Sequence, residues 1–312
     1  MLPAMAALHE KIMTEIKRRD FLKTTVAGIA AGAILNGSAR AGNDPVLPAP
    51  AQMAQQTGLP DIPTVESMRS IVMTHKFGDL FNPPGLTNQW GCAQAAMDAV
   101  AIRSIAFPPF AQGEMNVAPL GAGGELLTGV LYIDEEYFAA TKTPIEFVWR
   151  PDRIERKTVY KGLEITSTMI VPFETMATAV KFNVKNVSGA RRPTEIKLAI
   201  NGGATKSVKP WNAAYSPGEY DNARTIDKSR NAVLCRSIHS EAFVLQGASP
   251  APTEILPSWL IYRFDLAPGE TRSITFVNSL GESQAFVEKH YDAIINNFDS
   301  VLAKTTTEWN AE

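Results

Sequence analysis

The stretch Leu163-Glu164-Ile165-Thr166-Ser167-Thr168-Met169-Ile170-Val171-Pro172-Phe173-Glu174-Thr175-Met176-Ala177-Thr178-Ala179-Val180-Lys181-Phe182-Asn183-Val184-Lys185 decides how this chain folds. In its second half Met176, Val180, Phe182 and Val184 oppose Ala177, Ala179, Lys181, Asn183 and Lys185. A mainly apolar face set against a mainly polar one, with a period of two, is the pattern of a half-buried strand. Pro172-Phe173-Glu174-Thr175 interrupts the run, so residues 163–171 and 176–185 read as two successive strands.

The same pattern continues outward on both sides. Downstream, Asn186-Val187-Ser188-Gly189 turns the chain, and 195–200 follows with Ile196, Leu198 and Ile200 in register. Further strands are expected over 232–238, 242–246, 258–265 and 271–278, with a tight turn at Pro268-Gly269 between the last two. Upstream, 143–150 alternates through Ile145, Phe147 and Trp149, and 153–160 alternates more weakly. Ala93, Ala96, Met97, Val100 and Ala101 have helical spacing, which predicts a short helix within 90–105, broken by Phe107-Pro108-Pro109-Phe110. Many strands joined by Gly, Pro and Asn turns define a mainly β fold, an antiparallel β-sandwich, placed over residues 64–282.

The period changes after residue 282. Phe286, Val287, Tyr291, Ile294, Ile295, Phe298, Val301, Leu302 and Trp309 follow helical spacing, which predicts one linker helix over 283–312. Its stripe is wider than a short surface helix needs. Phe286 and Ile294 are expected on the sandwich, whereas Leu302 and Trp309 are expected to project towards a partner: a helical catalytic domain, or a second copy.

Composition narrows the classes. With 312 residues, 45% of them apolar and 20% charged, the chain holds a packed core. A net charge of -2 lacks the basic footprint of a nucleic-acid binder. Two cysteines, Cys92 and Cys235, exclude a disulfide-dense scaffold; a bridge and two buried free thiols both remain open. No CxxC or HExxH box suggests a metal, and no cofactor is expected.

The N-terminus carries an export pattern. Lys17-Arg18-Arg19-Asp20-Phe21-Leu22-Lys23 precedes a weakly apolar, Ala- and Gly-rich run over 24–35, and Ala39-Arg40-Ala41 offers a small-x-small cleavage site. The apolar run is too short to span a bilayer, so no stable membrane span is expected. Arg18, Arg19, Phe21, Leu22 and Lys23 resemble the twin-arginine signal, although Lys17 stands where that family has Ser or Thr. The resemblance implies a signal peptide over 1–41 and a periplasmic or secreted protein. Residues 42–63, with Pro45, Pro48, Pro50, Pro60 and Pro63, read as a tether.

Catalytic constellations are scarce. Asp134-Glu135-Glu136 is the densest acidic cluster, but sequence neighbours point in different directions, so it reads as a solvated turn. No GxSxG elbow is present, and Gly121-Ala122-Gly123-Gly124 lacks the Lys-Ser/Thr ending of a phosphate loop. His75, His239 and His290 act together only if the fold gathers them. No catalytic residue is assigned. The loop over 209–221 offers Trp211, Tyr215 and Tyr220 among hydrogen-bonding groups. Aromatic rings stack on the C–H faces of sugars, so these three are the candidate carbohydrate-binding residues; alternatively they pin their own loop.

The order of elements resembles a known family. Gly162-Leu163-Glu164-Ile165-Thr166, Val171-Pro172-Phe173, Ala179 to Asn186, Leu266-Ala267-Pro268-Gly269-Glu270-Thr271, Phe298-Asp299 and Thr306-Thr307-Glu308-Trp309-Asn310 carry the likeness. Together they resemble the N-terminal part of bacterial six-hairpin glycoside hydrolases. There a large sandwich, the supersandwich, precedes a linker helix and a six-fold helical barrel that holds most of the catalytic groups. The resemblance covers about residues 64–312 and implies a non-catalytic module, or a truncated form, of a glycoside hydrolase. A free-standing carbohydrate-binding or structural sandwich is the alternative. A complete mutarotase-like enzyme would need His and Glu in one cleft.

Overall fold

The computed structural model of the chain describes residues 73–76, 84–96, 98–113, 127–206 and 222–311. In chain order the strands are β1 (Met73–Lys76), β2 (Gly85–Asn88), β3 (Gly91–Ala95), β4 (Ile102–Phe107), β5 (Phe110–Gly113), β6 (Val130–Ile133) and β7 (Glu136–Tyr137). Then come β8 (Glu146–Arg150), β9 (Arg153–Tyr160), β10 (Leu163–Ile170), β11 (Ala177–Asn186), β12 (Arg192–Ala199) and β13 (Ala204–Lys206). The last are β14 (Asn222–Asp227), β15 (Ala232–Ser237), β16 (Phe243–Ser249), β17 (Glu254–Leu256), β18 (Trp259–Leu266) and β19 (Thr271–Gly281). Two helices follow, α1 (Gln284–Ile295) and α2 (Phe298–Ala311).

The opening stretch is the β10–β11 hairpin, with Leu163 opposite Asn186 and Ile170 opposite Ala179. It lies at the middle of a nine-stranded antiparallel sheet ordered β1-β8-β9-β10-β11-β19-β16-β15-β14. Two five-stranded sheets, β17-β18-β12-β6-β7 and β13-β5-β4-β3-β2, complete the sandwich. One apolar core joins all three, including Ile165, Val180, Phe182, Ile274 and Phe276 from the large sheet and Leu131, Leu198, Leu260 and Ile105 from the smaller ones. The predicted turn holds: Gly269 has φ +78°, and Glu270 N–H donates to Ala267 O at 3.0 Å. All described residues belong to one compact unit, Pro63–Glu312.

Three expectations are corrected. The first is the short helix within 90–105. The segment is the β3–β4 hairpin, with Cys92 opposite Ala106 and a register shift at Gln94/Ala95. Alanines at 93 and 95 satisfy an alternating burial pattern as well as a helical one, and long-range pairing overrides local helix propensity.

The second is the single terminal helix, which divides at Asn296-Asn297. Asparagine is a poor interior helix former, and its side chain competes for backbone groups. Asn297 N–H donates to Ile294 O at 2.9 Å and its carbonyl accepts from Val301 N–H at 3.0 Å, so one residue ends α1 and starts α2.

The third concerns the stripe. α1 begins at Ser283, whose hydroxyl accepts from Phe286 N–H at 3.2 Å. It buries Val287, Tyr291, Ile294 and Ile295 against Ala177, Ala179, Ala232, Leu245 and Val277, on the outer face of the large sheet. The half of β11 expected to face solvent is therefore covered. Leu302 is half-buried against this same cluster. Trp309 stands edge-on to Phe173 of the β10–β11 connection, ring centroids 5.1 Å apart. Neither projects freely away from the sandwich.

The cysteines are free thiols. Cys235 is buried, and burial pushes its thiol up to about 11, which leaves it inert.

Candidate functional site

The site forms on the outer face of the β17-β18-β12-β6-β7 sheet. In β6, Leu131 and Ile133 enter the core, so Val130 and Tyr132 face out. Asp134 and Glu135, with φ of 50° and 68°, make a two-residue hairpin turn that sets Tyr137 of β7 directly opposite Tyr132. Their rings stack, with centroids 5.3 Å apart and planes at 28°. Trp259, at the start of β18, meets Tyr132 edge-on at 5.1 Å. Ala199 of β12 lies opposite both Trp259 and Val130. Its small side chain leaves a depression beside the rings. The resulting cavity of about 400 Å³ is lined by Tyr132, Tyr137, Ala199, Asn201, Arg224 and Ser258 among others.

Its polar rim is held from behind. Arg224, on the edge strand β14, reaches across to the small sheet: its Nη1 donates to Ser258 Oγ, to Pro257 O at 3.3 Å and to Ile200 O at 3.5 Å. The Asn201 carbonyl accepts from Gln112 Nε2 at 2.6 Å and from Gln246 Nε2 at 2.8 Å. Through Gln112 the chain of bonds continues to Asn278 Nδ2 at 2.6 Å, so the cavity wall is tied to the centre of the large sheet. Burial, with the Asp98 charge and Tyr132 adding to it, pushes the Tyr137 phenol up. Tyr137 therefore keeps its proton and remains a hydrogen-bond donor.

Below this face lies a buried charged cluster. Asp98 accepts from the N–H groups of Val100, Ala101 and Leu131 at 2.8, 3.1 and 3.2 Å. Arg156 of β9 donates to the carbonyls of Asp98, Val100 and Ala101 and to Ser167 Oγ. Burial raises the Asp98 carboxyl, opposed by these N–H groups and by Arg156; burial likewise brings Arg156 down to about 10, opposed by Asp98. Their partners are mostly backbone, so the cluster locks the turn at 98–101 between layers.

The sequence candidates fall as follows. Trp211, Tyr215 and Tyr220 lie outside the described residues, as do Arg18, Arg19, Phe21, Leu22, Lys23, Ala39 and Ala41. The acidic cluster is the β6–β7 turn, and each carboxylate has a partner. Asp134 takes Arg192 at 2.8 Å, Glu135 takes Lys197, and Glu136 takes Lys161 at 2.5 Å together with Tyr160. The histidines are not gathered: β1, with His75, and β15, which leads to His239, are seven strands apart in the large sheet, roughly 30 Å. His290 lies on α1 against Phe286, centroids 4.3 Å apart. Among the described residues no His, Cys, Asp or Glu group of three or more is arranged for a metal ion, and no helix is long and apolar enough to cross a membrane. Tyr132, Tyr137, Trp259 and Arg224 escaped the sequence reading. The one available signal was Tyr132 alternating with Leu131 and Ile133 just before a turn.

No protein-family profile matches the chain, and no characterised protein matches it in sequence. Solved structures to which part of the chain is similar include three carbohydrate-active enzymes. A putative kojibiose phosphorylase from human microbiome is 10% identical, over 72% of this chain and 35% of its own, with a TM-score of 0.45. A bacterial glucoamylase complexed with acarbose is 9% identical, over 77% of this chain and 40% of its own, with a TM-score of 0.41. A putative aldose 1-epimerase from Escherichia coli K12 is 10% identical, over 43% of this chain and 67% of its own, with a TM-score of 0.29. The chain thus spans about a third of the length of the phosphorylase it matches.

Proposed function

We propose that this chain is an exported, non-catalytic β-sandwich module that binds carbohydrate, working as part of a glycoside hydrolase of the six-hairpin type. The observation that carries the reading is the Tyr132–Tyr137–Trp259 aromatic face beside a cavity of about 400 Å³ with a polar rim. Sugar rings need both elements, a flat apolar surface for their C–H faces and fixed polar groups for their hydroxyls. The described lining consists of aromatic, aliphatic, small and amide side chains with Arg224, groups suited to holding a sugar. Export rests on the Arg18-Arg19 signal, and the placement before a helical catalytic domain rests on the family resemblance.

The test is native electrophoresis of the exported chain through gels containing soluble polysaccharides, together with incubation with aryl glycosides. Retardation by at least one polysaccharide, without release of aglycone, is expected. Unretarded migration in every gel removes the reading, and turnover abolished by changing one Asp or Glu would make the chain an enzyme in its own right.

A further inference from the structure

We infer that the cavity beside Tyr132 and Tyr137 selects a sugar bearing a carboxylate, a uronate, with Arg224 as the group that recognises the acid. The inference rests on the carbohydrate reading and names its substrate class.

Charge sets Arg224 apart. Arg192, Arg230 and Arg263 each hold a carboxylate, Asp134, Asp292 and Glu195 respectively. Arg224 holds none among the described residues, and it is the one charged side chain in the cavity lining. Lys197, on the same sheet face, is already paired with Glu135 and Glu195. The charge of Asp98 acts on Tyr137 of the lining, but Asp98 is buried and offset by three backbone N–H groups and Arg156. Among the described residues the cavity therefore presents one positive charge with no carboxylate on it.

Geometry makes that charge a recognition group. A guanidinium carries five N–H donors in a rigid fork. Only Nη1 of Arg224 is engaged by the described residues, on Ser258 Oγ, Pro257 O and Ile200 O. Those bonds fix the plane of the group and leave Nε, which lies beside Gly202, and Nη2 without an acceptor among the described residues; these two are the pair that binds a carboxylate side-on through two parallel hydrogen bonds. Arg224 is itself exposed, so a ligand reaches it without any burial of an unpaired charge. A pyranuronate entering the cavity then places its apolar face against one ring of the Tyr132–Tyr137 stack, and its carboxylate on the fork. Tyr137, which keeps its proton, adds a neutral donor for a ring hydroxyl. A neutral hexose keeps the stacking and loses the charge-assisted pair.

The experiment measures, by calorimetry on the exported chain, binding of hexagalacturonate, the same oligomer fully methyl-esterified, and cellohexaose. Unmodified hexagalacturonate is expected to bind at least about tenfold more tightly than its methyl ester, with the margin shrinking as salt is raised. Arg224→Gln is expected to lose about 10- to 100-fold for the acid while leaving the ester unchanged. Arg224→Lys should keep the charge preference and lose part of the affinity, because an ammonium cannot form the fork. Equal affinity for acid and ester in the wild-type chain overturns the inference and leaves the carbohydrate reading standing. Absence of binding to all three overturns both. The acid–ester comparison needs no variant, so a poorly folded Arg224→Gln protein does not blunt the test.

Discussion

Arg156 and Asp98 are both buried, yet the guanidinium bonds the main-chain carbonyl of Asp98, at 3.0 Å, and the Asp98 carboxylate turns to backbone N–H groups. Two opposite charges thus neutralise each other while each satisfies a different set of peptide groups. The 98–101 turn, β9 and β6 are held in one arrangement by this exchange. That arrangement sets the level of Tyr132 and Tyr137 on the face above.

Removing one partner leaves the other charged and buried. Arg156→Leu is expected to cost about 3–5 kcal/mol. Arg191→Leu, which breaks an exposed pair with Asp265 at side-chain exposures of 63% and 57%, is expected to cost less than about 1 kcal/mol. Urea denaturation of both variants checks the contrast, and equal losses would mean that the buried cluster holds nothing together.

At Gly247 of β16, Tyr291 of α1 packs directly on the sheet. A Cβ there would lie 2.4 Å from Tyr291 Oη, 2.6 Å from Ala232 Cβ and 2.7 Å from the Asn231 carbonyl oxygen. Two of those three atoms belong to β15 and the turn before it, which cannot swing aside, so Gly247→Ala is expected to destabilise by about 1–3 kcal/mol. Thermal unfolding measures it; an unchanged midpoint would show that α1 is loosely seated.

The pH dependence of stability has a share from His290. Burial, with Lys289 adding to it, lowers its folded-state value below the ordinary 6.5. The unfolded chain therefore takes up the proton first. Stability from this group is complete at pH above 6.5 and declines as pH falls through that value towards the lowered folded one. His290→Gln should flatten the unfolding free energy between pH 7.5 and 5 relative to the parent, and an unaltered slope would place the effect in other groups.

Binding should follow the rings. Tyr137→Ala and Tyr132→Ala are each expected to weaken polysaccharide retardation by about tenfold, near 1.4 kcal/mol, while far-ultraviolet dichroism stays that of the parent. Retained binding in both variants would move the site elsewhere, first to the loop with Trp211, Tyr215 and Tyr220.

Export is tested at the signal. Changing Arg18 and Arg19 together to Lys is expected to hold the protein in the cytoplasm at full length, read by fractionation and blotting. Processing equal to the parent's would reject the twin-arginine reading.

Much of the fold was legible because strand burial has a local code. In β9, β10, β12 and β19 the side chains alternate or run apolar, and the turns at 186–189 and 268–269 sit where Gly and Asn allow them. The β3–β4 hairpin was misread because alanine carries too little size or shape to distinguish a period of 3.6 from a period of two. The break at Asn296-Asn297 was hidden because the apolar spacing runs on through it. Of the candidate site, the three aromatics come from β6, β7 and β18, and Arg224 from β14, on three stretches of chain with nothing local to join them.

The sequence by itself determined that this is an alternating, mainly β chain ending in helix, because the period of burial along a segment is written in that segment alone. It also determined which residues turn outward, since a one-residue slip would reverse every face. Only the tertiary structure decided what lies across from each face. Gln112 meets Asn278 from 166 positions away, and Arg224 bridges to Ser258 from another sheet. It decided too that Ala177 and Ala179 lie under a helix instead of facing solvent. The physical reason is that hydrophobic burial is non-directional and depends only on leaving water. It tells a side chain to be covered and leaves the identity of the covering neighbour to the packing of the whole chain.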